Sequence, residues 1–315
     1  MSASQRTTVA ITGVFALSSL FLAPLASGVG TERLLVGDTF GDSIHEFDLD
    51  SGQYVRTLVP PGYGGLDEPA DMAIGPDGAL YVANVWGGNI LKYDLNSGEF
   101  LGVFASGFDI PTGITYADDQ FYVPARADMA IYRLDADTGA VTGQTEPYPD
   151  GASVWWPVDA EVNADGKLLM SNYERHNILA FDAVSLAFDG VFAESYDASR
   201  IGNMEIGPDG DIHLVGNDSW VYRFDGLSGA TKGRIPVPDI DETAGLAVAA
   251  DGTLYITGHR EPGIVHLDAD TGELLRVLDP AGAHTSGSWC MLIVPEPASL
   301  CLLALGGLAA LWRKR

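Results

Sequence analysis

Between Leu34 and Val294 the chain alternates short apolar runs with polar turns rich in Gly, Asp and Pro, and no stretch carries a helical period. Runs such as Leu80-Tyr81-Val82-Ala83, Leu168-Leu169-Met170-Ser171 and Leu254-Tyr255-Ile256-Thr257 are too short for helices. Bounded by turn residues and rich in β-branched and aromatic side chains, they predict β-strands. Each follows another strand (Met72–Gly75, Met204–Gly207, Leu246–Ala249) across an Asp-Gly pair, as at Asp77-Gly78, Asp165-Gly166, Asp209-Gly210 and Asp251-Gly252. Asp-Gly between apolar runs predicts a hairpin with a type I′ turn.

One segment recurs six times: Ile44–Asp48, Ile90–Asp94, Ile131–Asp135, Ile178–Asp182, Val221–Asp225 and Ile264–Asp268. Each has a β-branched residue, two variable positions, a bulky Phe, Tyr or Leu, and Asp. Most continue as Asp-x-x-Ser/Thr-Gly, where the carboxylate can accept backbone N–H groups and the glycine can take φ > 0. The closing Asp residues are 46, 41, 47, 43 and 43 positions apart. A further strand follows each, as at Phe100–Phe104 and Leu274–Leu278. Four antiparallel strands in a period of about 44 residues describe a β-propeller blade. The first unit lacks an innermost strand, and Ser288–Val294 is an innermost strand without a unit. Pairing it with Leu34–Asp38 closes the ring from both termini, giving an all-β, six-bladed β-propeller over residues 31–294 with no exposed ladder edge at the seam.

The repeat resembles six-bladed propellers of the NHL, SMP-30/gluconolactonase and streptogramin-lyase-like group, in whose style Tyr81-Val82-Ala83-Asn84 is followed by Ile90-Leu91-Lys92-Tyr93-Asp94. The resemblance covers residues 34 to 294 and concerns architecture. It implies that a lactonase-like relative would hold a metal in the channel, but no catalytic role transfers residue by residue.

The ends read as addresses. Arg6, the apolar run Val9–Leu22, Pro24 and the small residues Ala26, Ser27 and Gly28 predict a signal peptide over residues 1–28. At the other end, Val294-Pro295-Glu296-Pro297 precedes an uncharged stretch from Ala298 to Trp312 and the basic end Arg313-Lys314-Arg315. An apolar segment with terminal cations suits a chain that enters a membrane and stops there, over residues 298–312. This tail resembles the PEP-CTERM sorting signal of Gram-negative bacteria. That resemblance implies handling by an exosortase-type transpeptidase, cleavage near the PEP, and delivery to the cell surface or extracellular matrix, with membrane contact only through the termini.

Charge narrows the partners. Seventeen Lys and Arg stand against 43 Asp and Glu. Setting aside Arg6, and Glu296, Arg313, Lys314 and Arg315, leaves 13 basic and 42 acidic residues, a net of −29. Such a polyanion repels a phosphate backbone, which excludes nucleic acid as a partner. The two cysteines, Cys290 and Cys301, form no disulfide framework, and Cys301 lies in the tail; Cys290 is expected to be a buried thiol.

No GxSxG, HExxH, P-loop or GxGxxG motif is present. Candidate chemistry therefore sits on the ring axis. Aligning innermost strands on their turns gives a column of Asp71, Gly113, Asp159, Asn203, Gly245 and Ser288. Two residues on, facing the same way, stand Ala73, Thr115, Glu161, Glu205, Ala247 and Cys290. The intervening column, Met72, Ile114, Ala160, Met204, Leu246 and Trp289, is apolar and is expected to pack between blades. Converging acids either hold protons or recruit a cation. Asp71, Asp159 and Asn203, with Glu161 and Glu205 beneath, form an all-oxygen set suited to Ca²⁺ or Mg²⁺ as a cofactor. Trp86, Trp155-Trp156, Tyr173, His176 and His259 lie in loops where aromatic rings can meet a ligand. These features favour an exported, surface- or matrix-associated binding module for a polysaccharide, a cation or a surface protein. The alternative is a divalent-metal-dependent hydrolase or lyase with Glu205 or His259 as proton carrier.

Overall fold

The computed structural model describes residues 32–146, 156–194, 200–261, 263–279 and 281–295. The expected signal peptide, Trp155, Cys301 and the expected membrane segment lie outside them. Six four-stranded antiparallel sheets are arranged with their innermost strands side by side around a channel. Blade 1 comprises Ser288–Val294, Arg33–Asp38, Ser43–Asp48 and Tyr54–Val59. The innermost strands of blades 2 to 6 are Pro69–Ile74, Thr115–Ala117, Pro157–Val162, Ile201–Ile206 and Thr243–Val248. The ring closes as the repeat predicts: Val294 lies opposite Arg33 and Cys290 opposite Gly37.

The apolar runs are unbroken because both faces of every blade are covered. Leu80 and Val82 of blade 2 pack with Leu35, Ile44 and Leu58 of blade 1. Tyr81 and Ala83, pointing the other way, pack with Phe121, Val123 and Leu134 of blade 3. Six such clusters fill the six seams, so there is no single central core. A fully buried residue such as Leu80 contributes roughly 1.5–3 kcal/mol through its seam.

The repeated Asp builds one turn six times. Asp94 Oδ1 accepts the Ser97 N–H at 2.7 Å and its hydroxyl at 2.8 Å, while Gly98 N–H donates to the Asp94 carbonyl at 2.9 Å. Asp48, Asp135, Asp182, Asp225 and Asp268 repeat the carboxylate bonds with Ser51, Thr138, Ser185, Ser228 and Thr271. These bonds hold Asp225 down at about 2. The glycine has a second reason to be there. At Gly98, φ is 73°, and a Cβ would overlap the carbonyl oxygen of Leu58 on the outer strand of the preceding blade. Blade 4 has Leu186 instead, at φ 61°, and the outer strand of blade 3 answers with Gly143, where a Cβ would crowd the Leu186 methyl.

The hairpin turns differ from the type I′ expectation. At Gly75-Pro76-Asp77-Gly78 only Gly78 has positive φ within the turn, and its N–H bonds the Gly75 carbonyl at 3.0 Å. That is a type I turn followed by a left-handed glycine, the form that suits proline at its second position. A two-residue turn with both φ positive occurs in blade 3, at Asp118-Asp119.

Candidate binding site at the mouth of the channel

Five of the innermost strands are bulged near their first residues. Pro69 pairs with Asn84 but Asp71 with Ala83; Pro157 pairs with Asn172 but Ala160 with Met170. Equivalent shifts lie between Ile201 and Met204 and between Thr243 and Gly245, and the closing strand bulges at Trp289, opposite Gly37 and Asp38. A bulge leaves backbone groups without ladder partners, and the inner edge of each strand faces the lumen, so those groups need other acceptors.

The axial acids supply them. Asp71 accepts the N–H of Met72 at 2.8 Å through Oδ1 and that of Ile114 on the next blade at 2.7 Å through Oδ2. Asp159 repeats this, with Ala160 at 2.7 Å and Met204 of the next blade at 2.8 Å. Glu205 reaches Val248 of blade 6 at 2.6 Å. Each therefore staples two blades at the hub. Among the described residues no group of three or more His, Cys, Asp or Glu side chains is placed to hold a metal ion. Of the expected Ca²⁺ or Mg²⁺ set, Asp71, Asp159, Glu161 and Glu205 stand close enough on the axis to shift one another's titration, while Asp71, Asp159 and Glu205 are engaged with backbone N–H groups and Asn203 faces the cavity above.

Crowded together at the hub, the acids retain protons. Asp71, Glu161 and Glu205 keep some accessible surface, but it opens on a narrow lumen walled by protein. Burial raises all four: Asp159 to about 7 and Glu205 to about 8. Burial, with the charge of Asp159 next, also lifts Asp71 and Glu161 well above the carboxylate range. Cys290 is a buried free thiol beside Pro69, and burial pushes its pKa up.

Above the acids lies a cavity of about 390 Å³ to which all six blades contribute. Of the loop residues singled out by sequence, Trp156, Tyr173 and His259 line it. Trp86 is 61% exposed and stands apart from it; His176, at φ 54° in the turn after Lys167–Asn172, also lies outside the lining. Asn203 closes the floor and is the one member of the axial column that opens into the cavity.

Sequence alone missed Phe40, Arg126 and Trp289, all in the lining; Arg260, which the sequence places beside His259 in a rim loop, lines it as well. Trp289 was expected between blades, but the bulge on the closing strand brings it to the mouth. There its indole N–H donates to His259 Nδ1 at 2.7 Å, and the two rings stack at 17°. That bond places the His259 proton on Nε2. Burial, and then the neighbouring Arg260 charge, lower the pKa of His259, so it is neutral near pH 7. Glu205 and His259, the two candidates for proton carrier in the enzymatic alternative, are each engaged, one by Val248 and the other by Trp289.

Residues 294–315 match the PEP-CTERM protein-sorting motif. No curated protein matches the chain by sequence. Solved structures of the same shape are numerous. A protein of unknown function from Bacteroides caccae aligns with a TM-score of 0.65 at 15% identity, covering 84% of this chain and 100% of its own. A chain from the crystal structure of a nidogen/laminin complex aligns with a TM-score of 0.68 at 12% identity, covering 84% and 98%. At these identities the likeness establishes the fold alone. The molecule is a six-bladed β-propeller. More particularly, it is an exported propeller whose C-terminal motif directs envelope-associated sorting by an exosortase.

Proposed function

We propose that this exported propeller is a recognition module of the cell surface or extracellular matrix, holding a polysaccharide at the mouth of its channel without altering it. The observation that carries this reading is the cavity itself. It is one concave site of about 390 Å³, built from all six blades and lined by aromatic rings and side-chain amides. Ligand sites of this kind combine apolar ring faces with a few placed polar groups. Loops on a rigid ring are well suited to carry them. The similar chain in a nidogen/laminin complex is a protein of this shape that takes part in a binding assembly.

The test is retention of the purified protein on polysaccharide prepared from the envelope of the producing cell. Trp156→Ala and Tyr173→Ala are expected to reduce retention while leaving the circular dichroism spectrum unchanged. Retention insensitive to both substitutions would place the ligand elsewhere. Accumulation of new reducing ends or unsaturated sugars during incubation would show an enzyme instead.

A further inference from the structure

The basic residues fall into two groups. Arg33 and Arg56 pair with Glu46, Lys92 with Asp77, Lys167 with Asp189, and Arg223 and Lys232 with Asp211 and neighbouring acids. Arg133 and Arg276 donate to backbone carbonyls across a seam. Three arginines with neither a carboxylate nor a carbonyl partner among the described residues gather at the mouth, in a chain where 43 acids stand against 17 bases. Arg126 lies 3.9 Å from the Trp156 ring centre, Arg260 lies 5.6 Å from that of Phe40, and Arg200 lies 5.8 Å from that of Tyr173. Among the described residues none of these guanidinium groups makes a hydrogen bond or ion pair. Arg126 and Arg260 line the cavity directly.

Glu68 is the one carboxylate among the described lining residues; Glu174 and Glu68 attract Arg126, but neither forms an ion pair with it. The acids beneath, held protonated in part, oppose an incoming anion less than their number suggests. A guanidinium stacked on an indole is fixed in plane while its N–H edge stays free, which is the form that grips a carboxylate through two parallel bonds. The remaining groups suit sugar hydroxyls: the Nε2–H of His259 and the amide of Asn203, with Trp156 and Tyr173 offering ring surface and the Asn217 amide donating to the Tyr173 hydroxyl at 3.3 Å. An inorganic anion would use the arginines and leave the ring faces without a task. The volume accommodates one or two sugar rings.

We infer that the mouth cavity binds a carboxylated sugar, a uronate unit of an acidic polysaccharide, with Arg126 and Arg260 clasping the carboxylate. This rests on the cavity being the ligand site proposed above. The experiment is titration calorimetry of the purified full chain with trigalacturonate and with its methyl ester, which keeps the rings and removes the charge. The acid is expected to bind at least about tenfold more tightly than the ester, with affinity falling as salt rises. Arg126→Gln and, separately, Arg260→Gln each remove about tenfold from the acid and little from the ester. Arg234→Gln, which alters an arginine stacked on Trp220 away from the cavity, leaves both unchanged.

Equal affinity for acid and ester would overturn the inference while the binding site stands. So would tight binding of polyglutamate that depends on Arg126 when trigalacturonate fails to bind. Failure of both sugars, with envelope polysaccharide still retained through Trp156, would overturn the sugar class alone. Failure of that retention as well would remove the functional reading itself.

Discussion

Replacing Glu205 by glutamine should make the protein more stable at neutral and alkaline pH, although it alters a side chain that bonds the next blade. The amide would retain an oxygen for the Val248 N–H that Glu205 Oε2 now accepts at 2.6 Å. What it cannot do is ionise. Glu205 is raised from 4.5 to about 8 by burial, with the Asp159 charge adding to the shift. The folded protein therefore holds a proton there that the unfolded chain gives up above pH 4.5. A group with a raised acid pKa contributes its full stability below the unfolded value and loses it as pH climbs toward the folded one. From pH 4.5 to 7 that loss approaches about 3 kcal/mol for an isolated group, a ceiling because the neighbouring acids share the same field. At about 2–4 °C per kcal/mol for a domain somewhat smaller than this one, the difference in Tm reaches several degrees. Scanning calorimetry on wild type and Glu205→Gln at pH 5, 6, 7 and 8 reads it. The variant should match wild type near pH 5 and exceed it progressively to pH 8. The lowered histidines His45, His213 and His266 act in the opposite sense below pH 6.5 but cancel in the comparison. Parallel Tm curves for the two proteins, or a variant that loses ground as pH rises, would refute the claim that the hub stores protons.

Gly78→Ala, in open space at φ 77°, should cost about 1–2 kcal/mol in urea unfolding, whereas Gly98→Ala, facing the Leu58 carbonyl at φ 73°, should cost clearly more; equal costs would mean the interblade contact is unimportant. Truncation after Gly287 removes the strand that pairs with Arg33–Asp38, and thermal unfolding should lose its single sharp transition. With Cys301 replaced by serine, Cys290 should resist Ellman's reagent in the native protein and react at once in guanidinium chloride; rapid native labelling of that variant would show that the hub opens.

The repeat made the ring legible. Six Ile-x-x-Phe-Asp units in register fix the blade count, and an orphan strand at Ser288–Val294 can only be the partner of Leu34–Asp38. The acids of the axis were legible as a column, but their task was not: the bulges that turn Met72, Ala160 and Met204 amides toward Asp71 and Asp159 leave no mark in a hydrophobic pattern. The same kind of irregularity hid Trp289, whose place in the alignment assigned it to a seam. Arg126 was passed over because loops of unequal length break the register. A usable signal was present nonetheless. Arg126, Tyr173, Asn217 and His259 are each the first residue after the second strand of their blades, and all four line the cavity.

The closing strand, Ser288–Val294, runs the depth of the ring. Trp289, near its first residue, borders the cavity, and Val294, its last, pairs with Arg33 about 17 Å away at the opposite end of the channel, where the PEP-CTERM motif begins. Anything attached beyond Pro295 pulls from the underside of the disc. A propeller moored there stands like a cup on its base, with its opening turned outward from whatever surface it is fastened to.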